Sequence, residues 1–85
     1  MGLTVLGARE QGDEGEVLFF AKVFQRGADH SFIELSSFER HDGTWGYRSG
    51  ILSRHPAGQP LPEGLTLDSA PALLAASNRK QNEQE

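Results

Sequence analysis

Residues 32–47 read FIELSSFERHDGTWGY, and this stretch decides the fold. Asp42-Gly43 near its centre is the strongest short-range signal for a β-hairpin, because a type I′ turn needs a positive φ at both central residues. The residues on either side are rich in aromatic side chains, which favour strands. We therefore predict strands over 30–41 and 44–51, joined by a two-residue turn.

Two further extended segments precede this hairpin. Residues 16–25 are the most strand-like part of the chain, because β-branched and aromatic residues lie there between two turn clusters. Residues 3–10 begin with apolar and polar residues in alternation and end in a glycine-rich turn at 11–15. Four consecutive strands joined by short turns predict an antiparallel meander.

The chain changes character after the last strand. Three prolines and two glycines between positions 53 and 64 indicate an irregular connector. Asp68 is then a suitable N-cap, and Pro71 falls in the first helical turn, where its missing N–H costs nothing. The prediction is one α+β domain, with the sheet at 1–52, a loop at 53–67, a short helix at 68–80 and a disordered tail at 81–85.

Both faces of the predicted sheet carry apolar side chains. With Phe38 opposite Tyr47, Ser36 opposite Ser49 and Gln25 opposite His30, one face holds Val17, Phe19, Ala21, Val23, Phe32, Glu34, Ser36, Phe38, Arg40, Trp45, Tyr47, Ser49 and Ile51. The other face holds Leu18, Phe20, Phe24, Ile33, Leu35 and Leu52, beside Lys22, Ser37, Glu39 and Arg48. Register decides these assignments, since a slip of one residue exchanges the faces of a strand.

The predicted helix is too small to cover this sheet. Its apolar side is little more than Leu73 and Leu74, and about ten residues at about 1.5 Å each span only part of one face. A sheet that is apolar on both sides must be covered on both sides. We therefore expect a homodimer, or docking on another protein chain, with Phe19, Phe20, Phe24, Phe32 and Leu35 as the candidate interface.

Composition excludes several classes of site. The chain has 85 residues and no cysteine, so disulfides and thiolate zinc sites are absent. Its three histidines have no metal-ligand spacing, and no glycine-rich phosphate loop occurs, so we predict neither a metal nor a cofactor. The net charge of −4 disfavours nucleic acid as a partner. No apolar run reaches the roughly 20 residues of a membrane span, and residues 1–6 do not resemble a signal peptide, which predicts a cytoplasmic protein.

Several motifs resemble one family. The sheet of the YchJ-like bacterial proteins is similar to two motifs of this chain, the strand pattern Glu34-x-Ser36-x-Phe38 and the hairpin Asp42-Gly43-Thr44-Trp45-x-Tyr47-x-x-Gly50 that follows it. Residues 2–5 and 20–24 are similar to the strands that precede this hairpin in the family. These proteins have an NTF2-like domain flanked by cysteine-rich SEC-C zinc motifs. The resemblance spans residues 2–51 and implies the cone-like sheet of an NTF2-like fold. The SEC-C cysteines and the helices that precede the sheet in an NTF2-like cone are missing, so no zinc site carries over and only the sheet half is expected.

Two interpretations of the polar and aromatic residues stay open. Glu34 is predicted on the more apolar face beside Ala21 and Ile51, where desolvation would raise the pKa of a general base; alternatively, it fixes the register by a hydrogen bond to Ser36 or Ser49. The aromatic rings at 45 and 47 suit a ligand pocket, or else a core or interface.

The candidate binding residues are therefore Glu34, Ser36, Trp45 and Tyr47, and no catalytic residue is assigned. The favoured function is a non-enzymatic oligomerisation or protein-interaction module. The alternative is a small-molecule-binding or acid–base pocket, of the kind that NTF2-like folds host, centred on Glu34, Trp45 and Tyr47.

Overall fold

The computed structural model of the protein describes residues 2–83, with side chains as far as residue 76 in its helix. The elements are β1 (Gly2–Gln11), β2 (Glu14–Lys22), β3 (Phe24–Gln25), β4 (Ala28–Asp29), β5 (Phe32–His41), β6 (Thr44–Arg54) and α1 (Ala70–Glu83). Within this part of the chain, β1, β2, β5 and β6 form one antiparallel sheet in that order, and β3 and β4 form a small separate hairpin. The predicted α+β class, a four-stranded meander followed by a helix, is confirmed.

The hairpin turn between β5 and β6 has the predicted geometry. Asp42 and Gly43 have φ angles of 52° and 79°, and His41 is opposite Thr44. Positive φ at both central positions is the mark of a type I′ turn, whose twist matches that of the flanking strands. The turn also determines the predicted cross-strand pair of Phe38 with Tyr47, and it places Arg40 opposite Trp45.

Replacing Gly43 with valine is expected to lower the free energy of unfolding by more than about 1 kcal/mol, since a β-branched residue resists positive φ. The space around the glycine is open, with nothing within 4 Å of an added Cβ, so the expected loss comes from the backbone alone. Urea denaturation followed by circular dichroism measures it. Gly43→Asn is the matched control and should lose much less, because asparagine tolerates the left-handed region; equal losses for the two variants would contradict the explanation.

A β-bulge corrects the predicted face of the end of β6. Ser37 is opposite Ser49 but Phe38 is opposite Tyr47, so Arg48 is an extra residue between the two pairs. The predicted pair of Ser36 with Ser49 is therefore wrong, and Ser36 is opposite Gly50. One inserted residue reverses the alternation beyond it.

The bulge moves two apolar residues to faces other than those predicted. Leu52 is opposite Glu34 and Ile51 is opposite Leu35, so Leu52 shares the face of Glu34 and Ile51 lies on the other face. The prediction had these two residues exchanged. The neighbours of Glu34 are therefore Phe19 and Leu52, in place of the predicted Ala21 and Ile51.

The turn before β5 is also tighter than predicted. Gln25 is opposite Ala28 instead of His30, around Arg26 and Gly27 with φ angles of 51° and 78°. The pairing of β2 with β5 is displaced by two residues from the predicted one, so that Ala21 is opposite Phe32. A displacement of two leaves every residue of these strands on its predicted face.

Helix α1 covers one face of the sheet and forms the core there. The buried apolar side chains that pack together are Leu18, Ile33, Leu35, Ala70 and Leu74. Partly buried residues from β1, β2, β6 and the connector surround them, namely Leu6, Phe20, Ile51, Leu65 and Leu67. The predicted second face of the sheet is thus the face that the chain covers by itself.

The start of α1 differs from the prediction. The Ser69 amide donates to the Thr66 hydroxyl at 3.1 Å, the Thr66 amide donates to the Ser69 hydroxyl at 2.8 Å, and the Ala70 amide donates to the Thr66 carbonyl at 2.9 Å. This is the reciprocal arrangement of a capping box, so Thr66 caps the turn at 66–70 that leads into α1. Asp68, the predicted N-cap, lies two residues further on and pairs with Arg9 at 2.9 Å.

The end of α1 also lies beyond the predicted one. The helical backbone continues through residues 81–83, which the sequence placed in a disordered tail. Arginine, lysine, glutamine and glutamate are good helix formers, and no glycine or proline interrupts them. Residues 84 and 85 of the predicted tail lie outside the described residues.

Asp29 fastens the connector to the sheet. One carboxylate oxygen accepts the Ser31 amide at 2.9 Å, and the other accepts the Ala57 amide at 2.8 Å. Hydrogen bonds from the side chain and then the backbone of Ser31, followed by the Ala57 amide and the charge of Arg54, hold the pKa of Asp29 below its usual range. The irregular connector is thereby held at one end, although it contains no helix or strand.

Candidate functional site: the open face of the sheet

The face of the sheet opposite α1 is the candidate site, and we call it the open face. By register its members include Leu3, Val5, Ala8 and Glu10 on β1; Gly15, Val17, Phe19 and Ala21 on β2; Phe32, Glu34, Ser36, Phe38 and Arg40 on β5; and Trp45, Tyr47, Gly50 and Leu52 on β6. Several apolar members are largely exposed, with 67% of Leu3, 59% of Val5 and 62% of Tyr47 accessible. Exposed apolar residues that lie together, rather than singly, mark a surface that binds something.

Three of the four predicted site residues lie side by side on this face. The Ser36 hydroxyl donates to Glu34 Oε2 at 2.5 Å, and Ser36 is only 2% exposed. A Cβ added to Gly50 would stand 2.5 Å from the Tyr47 hydroxyl and 2.7 Å from Glu34 Oε2. The missing side chain at Gly50 is therefore what gives the carboxylate and the phenol room to approach each other.

The hydrogen bond between Ser36 and Glu34 is the structural role that the sequence offered as an alternative to catalysis. The hydrogen bond that a carboxylate accepts offsets part of the free-energy cost of placing it among apolar side chains. The arrangement as a whole, one carboxylate with a serine and a tyrosine, can bind a donor or a cation.

Trp45 lies farther along the open face, beside the turn. Its indole is within reach of the Arg40 guanidinium, whose central carbon is 4.9 Å from the ring centroid. Arg40 is in turn held by the Asp13 carboxylate at 3.1 Å and the Gly12 carbonyl at 3.0 Å. Arg40 and Trp45 thus form a cation–π pair on the open face.

A depression that is large enough for a side chain lies on the open face beside Trp45. Its volume is about 490 Å³, and its lining is Ala8, Arg9, Glu10, Gly15, Glu16, Val17, Phe38 and Trp45. Gly15 forms its floor, since a Cβ there would be 3.5 Å from the indole. Glu34 and Tyr47 are not part of this lining, so the depression and the Glu34 cluster are neighbouring features of one face rather than one pocket.

The residues predicted for an interface are divided among three places. Phe19 and Phe32 lie on the open face, edge to face with ring centroids 6.2 Å apart. Leu35 is buried in the core, and Phe20 packs against that core with its ring 5.8 Å from that of His55. Phe24 belongs to the small β3–β4 hairpin and is 52% exposed. Only Phe19 and Phe32 are thus placed to contact something on the open face.

Sequence reasoning placed Val17, Phe19 and Ala21 on this face but missed its β1 part and Gly15. Residues 3–10 were predicted as a strand with no face assigned, and Gly15 was predicted in a turn cluster, whereas it lies inside β2. The alternation of Leu3 and Val5 was the available signal, but a bulge between Val5 and Gly7 shifts the register beyond it. Periodicity alone therefore could not place Ala8 beside Val17.

The described residues contain neither a metal-binding cluster nor a helix suited to cross a membrane. In that part of the chain, no group of three or more His, Asp or Glu side chains is arranged to hold a metal ion. None of its helices has the length and apolar character that crossing a membrane requires.

Comparison with known proteins identifies the family. A search of curated proteins and of solved structures finds no match. The family model of the middle NTF2-like domain of YchJ matches residues 1–50, which include β1 to β5 and more than half of β6. The match covers more than half of the 85 residues, so the resemblance seen in the hairpin motif is confirmed. The chain belongs to the YchJ middle-domain family of NTF2-like proteins.

Proposed function

We propose that this domain is a non-enzymatic self-association module that forms a homodimer through the open face of its sheet. The observation that carries the proposal is the exposure of apolar residues on the two outer strands of that face, with Leu3 and Val5 on β1 and Tyr47 on β6 each more than half accessible. The chain's own helix covers the opposite face. On this face, among the described residues, Ala21 and Ser36 are buried while residues of both outer strands stay exposed. Burial of apolar surface is the main favourable contribution to association.

The dimensions of the open face suit a dimer interface. Four strands about 4.8 Å apart and about ten residues at about 3.4 Å each give a patch of roughly 650 Å². Stable interfaces bury about 800 Å² of accessible surface on each partner, and a rough surface exposes more area than its flat outline. The outline of the open face, which includes the polar side chains of Glu10, Glu34, Ser36 and Arg40, is therefore about four-fifths of the area that a stable interface buries on one partner.

A second copy is the partner that the size of the domain favours. An 85-residue chain buries only about 60–65% of the surface that its unfolded form exposes, so its own stability is modest. Association with an identical chain adds stability by mass action, and a two-fold dimer is the commonest assembly of soluble proteins.

Light scattering coupled to size exclusion tests the proposal. At tens of micromolar the expected mass is twice the 9.3 kDa of the chain, and it should fall toward the monomer on dilution. Val5→Lys places a charge on an exposed position of the open face and should give a monomer. Leu61→Lys is the matched control, since Leu61 is exposed in the connector, and it should remain dimeric. A wild-type protein that is monomeric throughout would refute the proposal.

A ligand-binding or acid–base pocket is the second candidate function, and one observation supports it. Glu34, Ser36 and Tyr47 form a polar cluster on an otherwise apolar surface. Its weakness is that Trp45, the third member of the proposed pocket, lines a separate depression. A turnover of a carbonyl substrate that is lost in Glu34→Gln would establish this function in place of self-association.

A further inference from the structure

The depression beside Trp45 has a shape that the open face itself can fill. Its floor is Gly15 and its sides include Ala8 and Val17, which are all small, whereas the neighbouring strand carries the large ring of Phe38 directly opposite Gly15. In this depression an aromatic side chain from outside would contact Trp45 and Phe38 at once. Aromatic anchors seated in such pockets contribute most of the free energy of many interfaces.

We propose that the depression receives Phe38 of a second copy, and that the two-fold axis runs along the strands between β2 and β5. This inference rests on the proposed dimer. Such an axis lays β2 of each copy over β5 of its partner, since two sheets that pack face to face keep their strands nearly aligned. Gly15 of one copy then faces Phe38 of the other, and the same contact is repeated by symmetry.

Charge selects this axis over the one that runs across the strands. Arg40 and Asp13, which are paired in one chain at 3.1 Å, lie opposite each other on β5 and beside β2 at the turn end of the face. An axis along the strands sets Arg40 of each copy over Asp13 of the partner, so that each guanidinium, which pairs with Glu10 and Asp13 of its own chain, gains a further carboxylate from the partner. An axis across the strands would instead lay Arg40 on the apolar ring of the partner's Phe32, where the charge would lose water without gaining a partner.

Filling the depression tests the contact. Gly15→Val is compatible with the fold, because its Cβ would meet the indole at an ordinary contact distance of 3.5 Å and valine favours strands. The variant is expected to be a monomer at concentrations where the wild type is dimeric. The Kd of the dimer should rise at least tenfold. Gly46→Val is the matched control: Gly46 lies on β6 opposite Glu39, on the other face, and the variant should remain dimeric. A dimeric Gly15→Val protein would overturn this inference while leaving the proposed function intact.

Mixing two variants identifies the residue that enters the depression. Phe38→Ala should also be monomeric, because it removes the inserted ring from both copies. A mixture of Gly15→Val with Phe38→Ala should form a heterodimer weaker than the wild-type dimer. One site then keeps the glycine and the inserted phenylalanine and lacks only the Phe38 of its own lining, and the other pairs valine with alanine. Circular dichroism confirms that each variant is folded, and Phe38→Val replaces Phe38→Ala if the latter is not. A folded mixture that stays monomeric would overturn the assignment of Phe38 and of the axis.

Discussion

Replacing Leu74 with alanine is expected to lower the free energy of unfolding by about 2–5 kcal/mol, the usual range for a leucine removed from a well-packed core. Leu74 is 2% exposed and packs from α1 against Leu18, Ile33 and Leu35 of the sheet. The total free energy of unfolding of a globular domain is about 5–15 kcal/mol, and short chains lie near the bottom of that range. The variant should therefore retain at most about 3 kcal/mol and unfold at a much lower urea concentration than the wild type. Urea denaturation monitored by circular dichroism measures the loss.

Leu61→Ala is the matched control for this substitution. Leu61 is 43% exposed in the connector, so the same chemical change there should cost at most about 0.5 kcal/mol. The comparison matters because the family match ends at residue 50, before α1 begins. If the two leucines were equally dispensable, the helix would not be part of the folding unit. The expected difference makes α1 as necessary to this domain as the strands that define its family.

Local turn chemistry was the part of the fold that the sequence predicted best. Asp42-Gly43 specifies its turn through backbone conformations that few other residues adopt, so one dipeptide determines the β5–β6 hairpin and the pairs Phe38–Tyr47 and Arg40–Trp45. The helix was predictable for a similar reason, since Pro71 is compatible with a first turn and with little else nearby.

The errors arose where one residue shifts a pattern. The extra residue at Arg48 exchanges the faces of Ile51 and Leu52. The sequence pattern of β6 contains no signal for this bulge. The N-cap was misplaced by two residues because Thr66 and Asp68 are both good capping residues, and the reciprocal bond with Ser69 decides between them only in three dimensions.

The candidate site was predictable in composition but not in shape. Glu34, Ser36 and Tyr47 were placed on one face by their spacing around the turn, and the structure brings them together. The separation of Trp45 from this cluster depends on the small volume of Gly15 across two strands. A depression formed by missing side chains on a distant strand has no signal in a local pattern.

Replacing Glu34 with glutamine is expected to strengthen the homodimer at least tenfold, about 1.4 kcal/mol. On the proposed axis the Glu34 carboxylate faces the phenyl ring of the partner's Phe19. The hydroxyl of Ser36 donates to one of its oxygens, and in the described part of the chain no cation lies within ion-pair distance of it. Association thus removes water from a negative charge without supplying a new donor, and leaving a charged group unsatisfied costs more than about 1–3 kcal/mol.

Glutamine removes the charge and keeps a carbonyl oxygen that accepts the hydrogen bond from Ser36. Because a symmetric dimer contains two copies of this residue, the gain in association free energy occurs twice. Sedimentation equilibrium of the two proteins measures the change in Kd. Glu39→Gln is the matched control, because Glu39 lies on the same strand but faces the other side of the sheet, where Arg48 binds it at 3.1 Å. That variant should leave the Kd unchanged. A weaker dimer in Glu34→Gln would show that the carboxylate binds a donor from the partner, and the proposed axis would then be wrong, since it places no donor there.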